Sequence, residues 1–279
     1  MPDTSLPASG LEASLRYNVN TGVKPVNETF GPGNMTRRNV GKAEEVSVTL
    51  HDGRAIRRDL DLDVQGFELV DHHTKVKNFL DPDELKNVYY QECVDLIKKV
   101  SGAARVHVFD HTLRSGDEGE RTEKLLREPV LSVHNDYTEW SGPQRVRDLL
   151  PAEAEGLIKR RFAIIQVWRN ISHKPLLANP LAIADARSLD MKDLIAAERR
   201  YPDRVGETYQ IAYNPAHEWY FFPKMLRDEA IVFKVYDSKK DGRARFTAHT
   251  AFVDPTTPPD APPRQSIEIR TLAFFDEDN

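Results

Sequence analysis

Residues 129–140 read PVLSVHNDYTEW, a strand-like run that ends in a His-Asn-Asp turn. Because side chains alternate between the two faces of a strand, Val130, Ser132 and His134 share one face. The turn lets Asp136 reach back toward that face, so an imidazole nitrogen and a carboxylate oxygen can meet. A surface turn with a capping aspartate gives the same pattern, so the pair alone is weak. If His134 faces the interior of a β structure, a metal ion is a suitable partner for it.

Short strand-like runs dominate the chain from residue 104 onward, and Pro, Gly or Asp turns separate them. The runs are 104–111, 129–136, 161–170, 180–186, 207–214, 218–223, 230–238, 244–253 and 265–275. One open sheet of this size would leave exposed edges, whereas a closed or two-sheet arrangement removes them. We therefore predict a mainly β fold with flanking helices and a jelly-roll core of the double-stranded β-helix, or cupin-like, kind. Residues 46–279 would form this single domain, with residues 1–45 as an N-terminal arm lying on it.

One helix has clear boundary signals. Asp81 can cap it, Pro82 suits its first position, Glu84 completes a capping box, and Gly102 follows its end at Ser101. Its apolar stripe, which includes the only cysteine, predicts packing against a sheet. We also predict helices over 143–159, interrupted at a proline, and over 188–200, and a β-hairpin over 44–55 around the His-Asp-Gly turn at 51–53.

A third metal ligand is expected far along the chain, where His217 and His249 are the two candidates. We favour His249 because it lies in the penultimate strand, and the last strand begins with Arg264 and Ser266 on one face. Arginine can bind a carboxylate through two parallel hydrogen bonds, and a serine hydroxyl adds a third. His217 remains the alternative because Arg227 follows it and also begins a strand. Two histidines and one carboxylate suit Fe(II) and leave three coordination positions open for oxygen chemistry.

The composition favours a small-molecule partner. The 39 basic and 44 acidic residues give a net charge of −5, and because the signs are mixed, no single-sign field attracts nucleic acid or an anionic membrane. Cys93 cannot form an intrachain disulfide, so we expect a core role and a reducing compartment. The first residues lack the pattern of a secretory signal, and no run approaches the roughly 18 apolar residues of a membrane span. We expect a cytoplasmic protein; its oligomeric state stays open.

Several polar or aromatic side chains are candidates for substrate binding, since such groups inside a barrel usually contact a ligand. Each could equally be a core residue with one satisfied polar atom. By the period of two in a strand, Gln166 and Trp168 share one face, and so do Tyr209 and Tyr213. Arg270 lies on the same face of the last strand as Arg264. The candidates are Gln166, Trp168, Tyr209, Tyr213 and Arg270.

At these stretches the sequence resembles the fungal and bacterial gibberellin GA4 desaturase-like family, which includes proteins similar to the cephem 7α-methoxylase P8 chain. The resemblance covers roughly Val46 to Phe275. It is carried by runs such as VHNDYTEWSGPQRVRDLLP, YQIAYNPAHEWYFFPKM, ARFTAHTAF and PRQSIEIR. One departure is Asn170, where similar proteins lead us to expect proline, and this affects only our expectation for the following loop.

The resemblance implies a double-stranded β-helix oxygenase in which His134, Asp136 and His249 bind Fe(II). Arg264 and Ser266 would then anchor the distal carboxylate of the cosubstrate 2-oxoglutarate, with dioxygen as the oxidant. The expected activity is hydroxylation, desaturation or oxidative ring closure of a small molecule in specialised metabolism, and family membership does not choose among them. The alternatives are a non-catalytic metal-binding barrel that assists another enzyme, and a cupin-type metalloenzyme that does not use 2-oxoglutarate.

Overall fold

The computed structural model describes residues 10–30, 36–202 and 204–276, and these form fifteen strands, five α-helices, one π-helical turn and two 3₁₀ turns, Ala186–Ser188 and Met191–Asp193. The helices are α1 (Pro82–Glu84), α2 (Tyr90–Ser101), α3 (Glu118–Lys124), α4 (Ser141–Leu149) and α5 (Ala154–Leu157). The strands are β1 (Leu11–Val19), β2 (Val26–Phe30), β3 (Thr36–Val40), β4 (Lys42–Asp52), β5 (Phe67–Asp71), β6 (Arg105–Ser115), β7 (His134–Asn135), β8 (Phe162–Asn170), β9 (Leu181–Ala184), β10 (Leu194–Arg200), β11 (Val205–Ile211), β12 (Trp219–Phe221), β13 (Glu229–Asp237), β14 (His249–Ala251) and β15 (Gln265–Phe274).

The described strands form two sheets that face each other. The larger has the order β1-β4-β12-β9-β14-β7-β11-β10-β2-β3, and the smaller has the order β5-β13-β8-β15-β6. Strands that are far apart in sequence are neighbours in both sheets, as a jelly roll requires. The predicted double-stranded β-helix is therefore confirmed, and each of the nine predicted runs overlaps a strand. The run at 129–136 is reduced to the two residues of β7.

The outer face of the smaller sheet packs on helix α2, as the apolar stripe predicted. Cys93 and Ile97 of the helix are buried in one cluster with Val167 and Ile269 of the sheet. A π-helical turn, Leu85–Tyr89, joins α1 to α2. The predicted start and end of the helix are confirmed, since the Asp81 carboxylate caps the first turn and Gly102 is left-handed.

One detail at the start of the predicted helix over 81–101 differs from expectation. The Glu84 carboxylate accepts from the backbone N–H of Lys77 at 2.6 Å instead of closing a capping box.

The predicted helix over 143–159 is confirmed as α4 and α5, separated at the proline. The predicted helix over 188–200 is wrong, because 194–200 is strand β10, paired along its length with β11. Its helix-forming residues are overridden by this pairing, with Ile195 and Ala197 buried on one face.

The predicted hairpin over 44–55 is also wrong. Residues 42–52 form the single strand β4, which pairs with β1 on one side and with β12 on the other. Gly53 instead permits a close approach, because an added Cβ would lie 2.5 Å from the Phe222 ring. The boundary expected at residue 45 falls inside β4, and β1 to β3 of the expected arm belong to the larger sheet. Residues 1–9 and 31–35 of that arm lie outside the described residues.

Asn170 ends β8 and holds the loop that follows it. Its fully buried side chain donates to the carbonyls of Lys174 at 2.9 Å and Met225 at 3.1 Å, and accepts from the N–H of Ser172 at 3.1 Å. The amide thus fixes the loop by hydrogen bonds where a proline would restrict the backbone. None of the helices in the described ranges is long and apolar enough to cross a membrane.

Candidate metal centre and substrate cavity

His134 and His249 lie directly opposite each other on the adjacent strands β7 and β14. Their ring centroids are 4.4 Å apart. Each ring donates from Nδ1 to the carbonyl two residues earlier in its own chain, that of Ser132 at 2.8 Å and that of Thr247 at 3.0 Å. A carbonyl can only accept, so Nδ1 carries the proton in both rings. Both Nε2 atoms are therefore left as acceptors and can bind a metal ion.

Asp136 completes the group. Its Oδ1 lies 3.5 Å from Nε2 of His134, while its Oδ2 accepts from Nε2 of Gln166 at 2.7 Å and from Nε of Arg270 at 3.2 Å. One ligand atom from each of the three residues lies within 4.8 Å of the others. Within the described ranges, this is the only group of three or more His, Cys, Asp or Glu residues that could hold a metal. Two imidazoles and one carboxylate on one side of an ion suit Fe(II).

The surroundings keep these groups in the form that binds a metal. Burial, and then the neighbouring His249, lowers the pKa of His134 to about 3, so the ring is neutral at physiological pH. Burial would raise the pKa of Asp136, but the Arg270 guanidinium and the two histidines hold it well below its usual range. A neutral imidazole and an ionised carboxylate are the states that bind divalent ions without first releasing a proton.

The amide of Asn135 supports this group, and the sequence reasoning did not select it. Asn135 is fully buried on the face of β7 opposite to His134. It donates to the carbonyls of Tyr137 at 2.7 Å and Val235 at 2.9 Å, and it accepts from the N–H of Thr247 at 3.1 Å. It therefore joins the two segments that carry the histidines. A polar residue between two candidate ligands was the available signal.

Arg264 and Ser266 lie at the start of β15, and the structure brings them into contact. Arg264 is 3% exposed; its Nε donates to Oγ of Ser266 at 2.9 Å and its Nη1 to the carbonyl of Asn179 at 3.0 Å. Its guanidinium lies 4.8 Å from the centre of the Trp168 ring. Burial, and then Arg114, lowers its pKa to about 9.

Two observations indicate that an anion fits beside Arg264. No carboxylate in the described part of the chain forms an ion pair with this guanidinium, although a buried charge without a partner is costly. The indole N–H of Trp168, whose ring lies against this guanidinium, is also buried without an acceptor among the described residues. Buried polar atoms are normally satisfied, so such atoms point to a bound group.

A cavity of about 820 Å³ adjoins the three-residue group and is lined by His134, Asp136 and Arg270. Of the predicted substrate residues, Arg270 alone lines it. Arg270 also pairs with Asp110 at 3.2 Å and contacts Glu268. Gln166 is held by its hydrogen bond to Asp136, so it acts on the carboxylate.

Neither Tyr209 nor Tyr213, two of the residues predicted to bind substrate, lines this cavity. In β11, Gln210 lies opposite His134 while Tyr209 lies opposite Asn135. Gln210 and Thr208 therefore line the cavity, and Tyr209 packs edge-on against a phenylalanine of the core. Tyr213 lies beyond the end of the strand and is 40% exposed. The cause is the period of two, in which a shift of one residue exchanges the faces.

His217, the alternative ligand, lies in a separate buried network. Its Nε2 is 3.2 Å from the Asp193 carboxylate, and its Nδ1 is 3.2 Å from the Tyr17 hydroxyl, so both nitrogens are satisfied. Arg227 donates to backbone carbonyls, including that of Val76 at 2.9 Å. These contacts give both residues structural roles and favour His249 as the third member of the metal group.

Comparison with known proteins shows which family of enzymes the chain belongs to. Residues 15–274 match the model of a family described as an oxidoreductase/YMDC permease-like domain. The chain is 35% identical over 253 residues to the hydroxylase/desaturase efuI of Hormonema carpetanum, covering 82% of this chain and 84% of that protein. It is 31% identical over 241 residues to the Fe(II)/2-oxoglutarate-dependent dioxygenase nvfI of Aspergillus novofumigatus, covering 81% and 82%. The chain belongs to this oxidoreductase family, the Fe(II)/2-oxoglutarate-dependent dioxygenases.

A solved structure agrees with this membership. The iron and alpha-ketoglutarate-dependent endoperoxidase NvfI superposes with a TM-score of 0.80 at 27% identity, over 95% of this chain and 97% of that one. The family uses Fe(II), 2-oxoglutarate and dioxygen, and it oxidises small molecules in specialised metabolism. The nitrogen and oxygen donors of the metal group and the buried guanidinium of Arg264 fit this set of cofactors.

Proposed function

We propose that His134, Asp136 and His249 bind the iron of this dioxygenase, and that Arg264 with Ser266 anchors 2-oxoglutarate. The observation that supports the proposal most strongly is the pairing of the two histidines across β7 and β14, with both Nε2 atoms free and a carboxylate oxygen beside them. When bound, the iron with 2-oxoglutarate and dioxygen would supply the oxidant that removes hydrogen from the substrate.

The chain's own residues hold this group in a fixed arrangement. The two backbone carbonyls that accept from Nδ1 set the plane of each imidazole, as outer-shell partners of metal ligands commonly do. Gln166 and Arg270 bind Oδ2 of Asp136 and leave Oδ1 for the metal. The ring of Phe233 packs edge-on against His249, with centroids 4.9 Å apart, and excludes water from that side.

The proposed binding site of 2-oxoglutarate contains a rigidly held guanidinium, that of Arg264. Arg264 is oriented by Ser266 and by the face of Trp168, so its remaining N–H groups can bind a carboxylate without reorganising. The Trp168 indole N–H, which is buried without an acceptor among the described residues, can donate to the same molecule. The low exposure of Arg264 strengthens such an interaction, because water competes weakly there.

We also propose the type of oxidation, the narrower family and the cellular location. Names such as hydroxylase/desaturase and endoperoxidase among the relatives support hydroxylation, desaturation or oxidative ring closure as the outcome. We also propose a closer relationship to gibberellin GA4 desaturase-like proteins and a cytoplasmic location. The lone cysteine, Cys93, is buried and forms no disulfide, which supports the proposal of a reducing compartment.

The proposal is tested with anaerobic iron titration and with succinate release. Wild-type protein should show a visible charge-transfer band when Fe(II) and 2-oxoglutarate are added, and His249→Ala should lose it. His217→Ala is the matched control and should keep it. Arg264→Ala should raise the 2-oxoglutarate concentration needed for the band by at least tenfold.

Three outcomes would contradict the proposal. Loss of the band in His217→Ala but not in His249→Ala would show that the third ligand is wrong. Succinate release that is insensitive to Arg264→Ala would favour an enzyme that does not use 2-oxoglutarate. Neither band nor succinate in iron-loaded wild-type protein would favour a non-catalytic barrel.

A further inference from the structure

The cavity beside the metal group contains arginines without carboxylate partners. Arg270 is neutralised, since Asp110 lies 3.2 Å away. Arg145 and Arg114, which line the same cavity, form no ion pair with any residue in the described ranges. The acids that line it have partners of their own; Glu207, for example, is 2.6 Å from a lysine. A guanidinium that is partly removed from water is unfavourable unless an anion or several hydrogen bonds compensate it.

Arg145 has the geometry of a prepared binding group. It extends from α4 over the Phe109 ring, with 4.8 Å between the guanidinium carbon and the ring centre. Its Nε is buried and has no hydrogen-bond partner among the described residues. Stacking on an aromatic ring fixes a guanidinium without using its N–H groups. The N–H groups of Arg145 therefore remain available to a ligand.

A β-bulge in β6 places Phe109 under this arginine. Arg270 of β15 lies opposite Asp110, whereas the next residue, Thr271, lies opposite Val108, so Phe109 is the extra residue. Both Phe109 and Asp110 line the cavity as a result. Bulges commonly change the direction of a side chain beside an active site.

Apolar side chains line other parts of the same cavity and are exposed. Trp140 is 52% exposed, Val205 54% and Leu131 45%, although large apolar groups are usually covered. The lining is more polar than apolar overall, and it combines this apolar part with an arginine that lacks an anionic partner. A ligand that has an apolar part and an anionic group matches both features.

We infer that the primary substrate is a small molecule that has an apolar part and an anionic group such as a carboxylate, and that Arg145 binds the anionic group. The inference rests on the proposed function, because it takes the cavity beside His134 and Asp136 as the substrate site. The cosubstrate has a different arginine, Arg264, which does not line this cavity. Arg114 also lines the cavity, but it lies opposite Ser266 in the sheet register and is therefore next to the proposed cosubstrate site.

Two fluorescent probes with one skeleton can test the inference without knowledge of the substrate. 8-Anilinonaphthalene-1-sulfonate carries an anionic group, and N-phenyl-1-naphthylamine is the same ring system without it. Both should bind metal-free wild-type protein with increased fluorescence. Arg145→Gln should weaken binding of the anionic probe by about tenfold, the size of one lost charge-assisted interaction, and change binding of the neutral probe by less than twofold.

Two further variants serve as controls. Arg147 lies on the same helix, is exposed and pairs with Glu155 at 2.7 Å, so Arg147→Gln should change neither affinity. Arg145→Lys keeps the charge and should retain most of the affinity for the anionic probe. If Arg145→Gln is poorly folded, the comparison of Arg145→Lys with Arg145→Met decides the question, because both keep a long side chain.

Equal effects of Arg145→Gln on the two probes, or no effect on either, would overturn the inference. Displacement of the Arg145-dependent anionic probe by 2-oxoglutarate would overturn it as well, because the arginine would then serve the cosubstrate. Failure of the proposed function is seen separately, in the charge-transfer band and succinate release of the iron-loaded wild-type protein. Those measurements do not use the probes.

Discussion

Replacing Asn135 by alanine should destabilise both the fold and the metal group. The side chain is fully buried and makes three hydrogen bonds of 2.7–3.1 Å, to the carbonyls of Tyr137 and Val235 and from the N–H of Thr247. Asn135→Ala leaves two carbonyls and one N–H without these partners in the interior. At about 1 kcal/mol or slightly more per bond, we expect a loss of about 3–4 kcal/mol in the free energy of unfolding.

A second effect should appear only when metal is present. Asn135 joins the segment of His134 to the residues just before His249, so its removal loosens the position of one ring relative to the other. Loss of such a supporting contact typically weakens metal binding by 10–100-fold. At saturating metal, a tenfold loss of metal affinity lowers the free energy of unfolding by an additional amount of about 1.4 kcal/mol.

Equilibrium urea unfolding of the metal-free and the metal-loaded protein separates the two effects. Asn170→Ala is the matched control, because Asn170 is equally buried and makes a similar set of bonds in a loop away from the histidines. Both variants should lose stability, but only Asn135→Ala should lose additional stability with metal. A metal-free loss below about 1 kcal/mol, or an equal metal effect in both variants, would refute this reasoning.

Three other substitutions test buried polar groups. Tyr17→Phe removes a hydroxyl that accepts from an indole N–H at 2.7 Å, so urea unfolding should show a loss of about 1–3 kcal/mol. Asp237→Ala removes one of the two carboxylates that contact the fully buried Lys234 ammonium, the one 2.9 Å away, and leaves that of Asp63, so it should cost about 2–3 kcal/mol in the same assay. Burial, and then Arg169, lowers the pKa of His72 to about 4; the unfolded chain binds a proton there near pH 6.5 and the folded chain does not. Stability is therefore lost as the pH falls from about 6.5 to 4, and His72→Gln should flatten this part of the curve of unfolding free energy against pH.

The features of the fold that were predicted correctly depend on neighbouring residues. The capping aspartate and final glycine of the helix act within one turn, and alternation along a strand is equally local. The errors at 44–55 and 188–200 come from contacts between distant residues. Gly53 lies against Phe222, and residues 194–200 pair with β11, so neither outcome follows from local propensity.

At the candidate site, residue type carried more information than strand register. His134, Asp136 and His249 were selected for their chemistry and lie together in the structure. Tyr209 of β11 was predicted to face the cavity from a register that the sequence could not fix, because a shift of one residue exchanges the faces. Arg145 gave no sequence signal, since its importance arises from an aromatic ring that a bulge brings beneath it.

The contacts of Asp136 leave a single carboxylate oxygen available to the proposed iron. An iron with two histidines and one carboxylate oxygen keeps three of six positions, enough for a bidentate cosubstrate and for dioxygen. A carboxylate bound through both oxygens would occupy one of these three and leave too few. Gln166 and Arg270 both donate to Oδ2, so that oxygen is engaged within the protein and Oδ1 alone remains. Arg270 also lines the substrate cavity, so the residue that fixes the carboxylate is in direct contact with the space where the substrate would lie.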